Sequence, residues 1–426
     1  MYVAGLAKYL YRLGNGVTII AGMAPQAFID HPVFYEDDQL KAVQYFFEEI
    51  RVIGVILKNT STTEIYSKFR VNWVSSWLKV LQQLPVQQWD ILHMHANTPA
   101  IGRSLVQAAK LHSKSMTVVA SYHIPTSCVK GTLLYSNSSI ECNIKPTVHI
   151  CTACCISTRT QWSINVTKLL SSFMPMVASE KWQTSFRLKF LTEKFISGFK
   201  LFDAEIDAWH VFSTQIKKIL LLNDVPSKKI IQLRHGVNEV FFSGNVQSND
   251  DRTERQGNVF LFVGRFDKFK GFHTLLKSWN SLPENSSRKV LWIVGENQSA
   301  DSATEKYIQE AAYRKDINWM GSLPQETIAA VMKQAHCVII PSEWVEIGPL
   351  VFHEAIAAGC DVITTRIGGC LELANLYSKK SHLYEPGSTG ELVKLITDFK
   401  YSGIHEIPIT QTKHYEKVFQ SYQLNH

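Results

Sequence analysis

Apolar residues in this chain fall into short unbroken runs, and between the runs they recur every three or four positions. The runs suit strands buried on both faces, and the wider spacing suits helices with one apolar face. Their alternation predicts an α/β protein with parallel sheets. Val3, Leu6, Ala7 and Leu10 mark a first helix, closed by Gly14-Asn15-Gly16, and Val17–Ala21 reads as the strand after it. Further strands are predicted at Arg51–Leu57, Asp90–His95, Met116–His123, Ala208–Phe212 and Lys229–Leu233. From Ser243 to Asn258 the chain is rich in Asn, Asp, Ser and Gly, the composition of a linker. The pattern then restarts, with strands predicted at Val259–Val263, Val290–Val294, Cys337–Ile340 and Asp361–Thr364. Two units are expected, over residues 1–240 and 258–400, with a tail over 401–426 in which Tyr415, Val418, Phe419 and Tyr422 recur at helical spacing.

The second unit holds the residues that suggest chemistry. Gly264-Arg265 follows a predicted strand, and Lys270-Gly271 lies a few positions on. A glycine at the carboxyl end of a parallel strand lets backbone approach a ligand, and Arg265 and Lys270 can then grip phosphate oxygens, one as a planar fork and one as a point charge. A plain turn is the other reading of that segment. After the strand at Cys337–Ile340 comes Glu346-Ile347-Gly348-Pro349, and a helix is predicted from Leu350 to Gly359. Its amino end offers free N–H groups and positive partial charge, suited to a diphosphate. Glu346 precedes the helix and Glu354 lies about one turn inside it, so one carboxylate can face a sugar and the other accept ribose hydroxyls. The alternatives are a carboxylate at the positive helix end for Glu346 and a solvated helix residue for Glu354. Asp361–Thr364 leads to Gly368-Gly369 and Glu372, a further backbone-rich contact for phosphate or sugar.

Together these residues resemble the retaining glycosyltransferases of family 4, whose GT-B fold sets two Rossmann-like domains across a cleft. Gly264-Arg265 with Lys270-Gly271, the Glu346/Glu354 pair, and Gly368-Gly369 with Glu372 carry the resemblance. In the first half Trp89-Asp90-Ile91-Leu92-His93 and His235-Gly236-Val237-Asn238 also resemble family segments, with Asn where the family usually has Asp. The resemblance implies an acceptor-binding domain over 1–240, a sugar-nucleotide-binding domain over 258–400, and a terminal helix crossing back to the first domain. A Rossmann-like domain ordinarily opens with a strand and a glycine-rich turn; here the pattern opens in a helix, so the first strand of the N-terminal domain is missing from it. Arg265 and Lys270 would hold the donor diphosphate, Glu346 would contact the transferred sugar, Glu354 the ribose, and the backbone of Gly348, Pro349 and Leu350 would cap the phosphates. The implied donor is a UDP- or GDP-sugar, and the implied acceptor a glycan or lipid-linked glycan of cell-surface polysaccharide synthesis. No Asp-x-Asp pair suggests a catalytic metal. The rival readings are a nucleotide-sugar epimerase of the same fold and a non-catalytic relative that binds sugar nucleotides.

In the first half, His123 ends a predicted strand and becomes a candidate catalytic residue beside Glu346, Arg265 and Lys270; His95 is a further candidate, and a structural loop histidine is the alternative. An insertion over about 123–160 carries Cys128, Cys142, Cys151, Cys154 and Cys155. Cys128, Cys142, Cys151 and Cys154 could bind a structural zinc, with His149 as an alternative ligand; free thiols are the other reading. Residues 181–200 combine Lys181, Arg187, Lys189, Lys194 and Lys200 with Trp182, Phe186, Phe190, Phe195 and Phe199, which suits either an anionic membrane surface or a helix packed on its own sheet. A formal charge of +7 fits a polyanionic small ligand, and without a long basic stripe interleaved with aromatics nucleic acid is not an expected partner. No apolar run is long enough to span a bilayer, and Lys8 and Arg12 interrupt the first one, so a cytoplasmic enzyme is expected, with the sequons at Asn59, Asn137, Asn165 and Asn285 as chance matches.

Overall fold

The computed structural model describes residues 2–23, 31–58, 72–86, 88–98, 100–177, 184–242, 257–283, 289–297 and 302–423. Most of the predicted linker therefore lies outside the described residues. The first element is the helix Tyr2–Arg12, which buries Leu6 and Ala7. Four strands follow: β1 (Thr18–Gly22), β2 (Val33–Glu36), β3 (Leu40–Phe47) and β4 (Ile50–Leu57), in the sheet order β1-β4-β3-β2. Only β1 and β4 run parallel; β2, β3 and β4 are antiparallel neighbours. The parallel α/β character expected from the sequence holds for the other two sheets, and this one adds an antiparallel hairpin. The β3–β4 hairpin turns through Glu48 and Glu49, since Phe47 pairs with Ile50, and Glu48 takes φ +54°. Hairpins of this length ordinarily announce themselves with Asn-Gly or Gly at such a position, and two glutamates give no such signal.

A second sheet contains β5 (Ile91–Met94), β6 (Thr117–Ser121), β7 (Ala208–Val211) and β8 (Ile230–Gln232), in that order and all parallel. One hydrophobic core joins the two sheets, running from Leu6, Ile53 and Trp77 to Val118, Trp209 and Ile216.

The second half builds one six-stranded parallel sheet from β9 (Asn258–Val263), β10 (Lys289–Val294), β11 (Ile317–Gly321), β12 (Cys337–Ile340), β13 (Asp361–Thr365) and β14 (Ser381–Tyr384). Its order is β11-β10-β9-β12-β13-β14. The winding reverses between β9 and β12, and in such sheets ligands bind in the crevice beyond the carboxyl ends of the strands flanking that switch point. Gly264 follows β9 and Pro341 follows β12, so the sequence-predicted loops meet there. The helix Gln411–Gln423 returns to the first half, burying Tyr415, Val418 and Tyr422 in its core. Among the described residues no helix is long and apolar enough to cross a membrane.

Candidate functional site

At the switch point the loops after β9 and β12 lie against each other because Gly271 allows it. Gly271 has φ +68°, and a Cβ there would stand 1.6 Å from the Pro341 carbonyl oxygen. Asp267 shapes the first loop: it accepts the Lys270 N–H at 2.8 Å and pairs with Arg265 at 3.2 Å. Lys270 then reaches across, its Nζ 2.7 Å from Glu346 Oε1. Ser342 Oγ donates to the same oxygen at 2.6 Å. Behind the carboxylate, the Gly369 N–H donates to the Glu346 carbonyl at 2.6 Å. Glu346 is thus buried yet holds two hydrogen-bond donors on one carboxylate oxygen.

Arg265, Lys270, Ser342 and Glu346 line one cavity of about 430 Å³, within the range of small-molecule sites. Its walls include Gly264, Arg265, Lys270, Glu346, Gly348, Pro349 and Leu350 from the second half, and Tyr2, His123 and His235 from the first. Gly348 is a point of close approach between the halves: a Cβ there would lie 2.9 Å from the His235 ring. The helix Leu350–Ala357 opens at this wall with its first N–H groups. His123 stacks on Phe212 at 4.7 Å and meets His95, whose Nδ1 lies 3.2 Å from His123 Nε2. Burial pushes His123 down to about 4 and holds His95 and His235 well below the usual imidazole range, so all three are neutral at neutral pH.

Glu354 is placed differently from the rest. It does not line the cavity; burial pushes its carboxyl up to about 7, partly opposed by a hydrogen bond from Gln325. Sequence reasoning missed Ser342, Trp344 and Tyr2 at the site. Trp344 lines the cavity with its ring 6.0 Å from Lys270 Nζ, and its indole N–H has no hydrogen-bond partner among the described residues. Ser342 and Trp344 lie close before Glu346 in sequence, so proximity was the available signal. Gly368, the other expected phosphate contact, donates its N–H to the Glu141 carboxylate of the first half.

Two further expectations concern other parts of the first half. Cys128, Cys142, Cys151 and Cys154 line a second cavity, and His149 stands apart with Nδ1 2.6 Å from Ser171 Oγ. In the helix Thr184–Asp203, Phe195 and Phe199 are buried in the core, so those two aromatics of the 181–200 segment face inward; residues 181–183 lie outside the described residues.

The second half is also where the chain resembles known families. Residues 243–406 match the family model described as Glycosyl transferases group 1. An uncharacterised glycosyltransferase of Methanocaldococcus jannaschii is 25% identical over 168 residues, 37% of this chain and 41% of the relative. A D-inositol 3-phosphate glycosyltransferase of Corynebacterium diphtheriae is 26% identical over 157 residues, 34% of this chain and 36% of the relative. The alignments therefore span less than half the length of these curated relatives. A glycosyltransferase structure from Rickettsia africae matches with a TM-score of 0.61 at 16% identity, covering 100% of this chain and 94% of that one. The fold is accordingly GT-B, an α/β architecture of two Rossmann-like domains facing across a cleft. The match over residues 243–406 supports a place in the group 1 glycosyltransferase superfamily.

Proposed function

We propose that this protein is a retaining, metal-independent hexosyltransferase that moves a sugar from a UDP- or GDP-sugar to a glycan or lipid-linked acceptor in cell-surface polysaccharide synthesis at the cytoplasmic face of a membrane. The observation that carries the reading is the Lys270–Glu346–Ser342 arrangement beside the start of the helix Leu350–Ala357. Breaking a sugar–phosphate bond loads negative charge on the departing nucleotide. Arg265, Lys270 and the helix N–H groups are fixed cations and dipoles on that side, where such charge gains most from preorganised partners. Lys270 is held by Glu346 until a diphosphate competes for it. Its transfer to phosphate leaves Glu346, still bonded by Ser342, able to accept a hydroxyl of the sugar. His123, neutral and on the opposite wall, suits a hydrogen bond to sugar or acceptor. Glu354, on the same helix, is the proposed partner of the nucleotide ribose hydroxyls.

The test is transfer from a panel of UDP- and GDP-sugars without added divalent metal, with the anomeric configuration of product read by NMR. Lys270→Ala should reduce transfer by about a hundredfold or more while leaving the melting temperature near that of the wild type. Wild-type turnover in that variant sinks the assignment. Isomerised donor without acceptor would instead identify an epimerase.

A further inference from the structure

The insertion between β6 and the helix Val148–Thr160 is held by side-chain contacts, such as Ser136 Oγ with Ser157 Oγ and Lys145 with Asp224, more than by backbone pairing. From Tyr122 to Thr147, among the described residues, its pairing in the manner of a sheet is the single bridge between Leu134 and Glu141. A stretch of this length without its own helices or strands is uncommon inside a packed domain and needs another kind of staple. Cys128 lies early in it, Cys142 just past the bridge, and Cys151 and Cys154 three positions apart on the following helix, hence on one face. All four thiols line one cavity of about 50 Å³.

We propose that Cys128, Cys142, Cys151 and Cys154 form a tetrathiolate structural zinc site that closes this insertion. Three observations select that set. The backbone N–H of Ser136 donates to Cys154 Sγ at 3.1 Å. Such donors orient and stabilise metal-bound thiolates. Positive charge also borders the cavity: Lys130 lines it, as does Lys145, which is paired with Asp224, and the helix Val148–Thr160 brings the positive end of its dipole to the same place, capped by Thr147. Lastly, the two competing ligands differ from these four, although Cys155 lines the same cavity. His149 is engaged by Ser171, and Cys155 is the most buried of the five thiols. Among the described residues no three Cys, His, Asp or Glu side chains already converge at ligand distance. Metal binding would therefore have to draw the four thiols together within the cavity they line. One zinc ion replaces four thiol protons, which pass to solvent, leaving a doubly negative centre beside the two lysines.

The site would do more than stiffen a loop. Glu141 precedes Cys142 and takes the Gly368 N–H of the second domain. A metal that fixes Cys142 fixes that contact across the cleft.

The full chain, purified without chelator from zinc-supplemented cells, should carry about one zinc per chain by elemental mass spectrometry. Cobalt substitution should give the intense charge-transfer absorption of a tetrahedral thiolate site. Cys142→Ser and Cys151→Ser should lose most of the metal, and Cys155→Ser should keep it. Because the first two could unfold, the unmutated chain supplies a second readout. Its four thiols should resist a thiol reagent under native conditions and react after chelation, with a lowered melting temperature. The proposal is overturned by wild-type protein without stoichiometric zinc, by Cys155→Ser losing as much metal as Cys142→Ser, or by a disulfide among the four cysteines.

Discussion

At the scale of single residues the site depends on how Glu346 is held. Its oxygen receives Lys270 Nζ and Ser342 Oγ, and only Lys270 has a competing task, since it is the cation a diphosphate would draw away. Ser342 is then the constant partner. Hydrogen bonds to charged groups contribute about 1.5–3 kcal/mol, so Ser342→Ala should lower kcat/KM by roughly tenfold to a hundredfold without moving the melting temperature by more than a few degrees. Steady-state kinetics with saturating acceptor would check this, and an unchanged kcat/KM would show that Ser342 does not position the carboxylate. Arg265, Lys270 and Glu346 were legible because strand-end glycines and a helix start fix their places by sequence distance alone. Ser342 and Trp344 were not, because their importance comes from where the side chains turn. Glu354 shows the converse: its spacing from Leu350 was legible, but not its withdrawal from the cavity wall toward Gln325.

At the scale of elements, β9, β10 and β12 were readable because each carries a continuous apolar run in the middle of a sheet, and β13 because its Val-Ile pair sits between β-branched threonines and the buried Asp361. β11 and β14 were not. They are the two outer strands, and exposure breaks their runs into Ile-Asn-Trp-Met-Gly and Ser-His-Leu-Tyr. Helix faces gave a further lesson. The 181–200 segment has the composition of a membrane-surface helix, yet Phe195 and Phe199 are core residues. The shorter helix Ile164–Phe173 is the exposed one: Leu169 is 63% and Phe173 79% accessible, and Trp162, Val166 and Met176 are exposed nearby. From residue 160 to residue 177 there is a lysine and no acidic residue. An uncovered apolar face of this kind, free of negative charge, suits the interfacial region of an anionic bilayer. The protein should therefore sediment with vesicles containing phosphatidylglycerol, and Leu169→Asp with Phe173→Asp should abolish that binding while leaving transfer to a soluble acceptor intact. Equal sedimentation of wild type and double variant would remove this helix from consideration.

At the scale of the whole molecule, histidines join the halves. In the returning helix, His414 Nε2 lies 2.7 Å from Tyr2 OH, Tyr422 OH 2.6 Å from His93 Nδ1, and Ser421 Oγ 2.9 Å from His210 Nε2. His123 and His235 complete the cluster against Phe212. Burial, with repulsion from neighbouring imidazoles, pushes His123 to about 4 and His210 to about 3, and holds His93 and His235 well below the usual range; burial also takes His414 to about 4, with Lys417 adding to the fall. Each is neutral when folded and would protonate near about 6.5 when unfolded. The unfolded chain therefore binds more protons below that pH, and stability is full above about 6.5 and falls as pH drops through the window between the unfolded and folded values. A shift of one pKa unit corresponds to about 1.36 kcal/mol, so a single such histidine can withdraw about 3 kcal/mol by a pH of about 4. Glu354 acts in the opposite sense: its folded value of about 7 lies above the ordinary 4.5, so the stability it withholds at neutral pH returns as pH falls toward 4.5. Several histidines outweigh one carboxyl. The melting temperature should decline steadily from about pH 7 to about pH 5, more steeply in Glu354→Gln, which loses the compensating group, and less steeply in His210→Gln. Thermal denaturation across that range checks all three slopes, and a melting temperature that is flat or rises on acidification would mean that the imidazoles holding the two halves together are already charged in the fold.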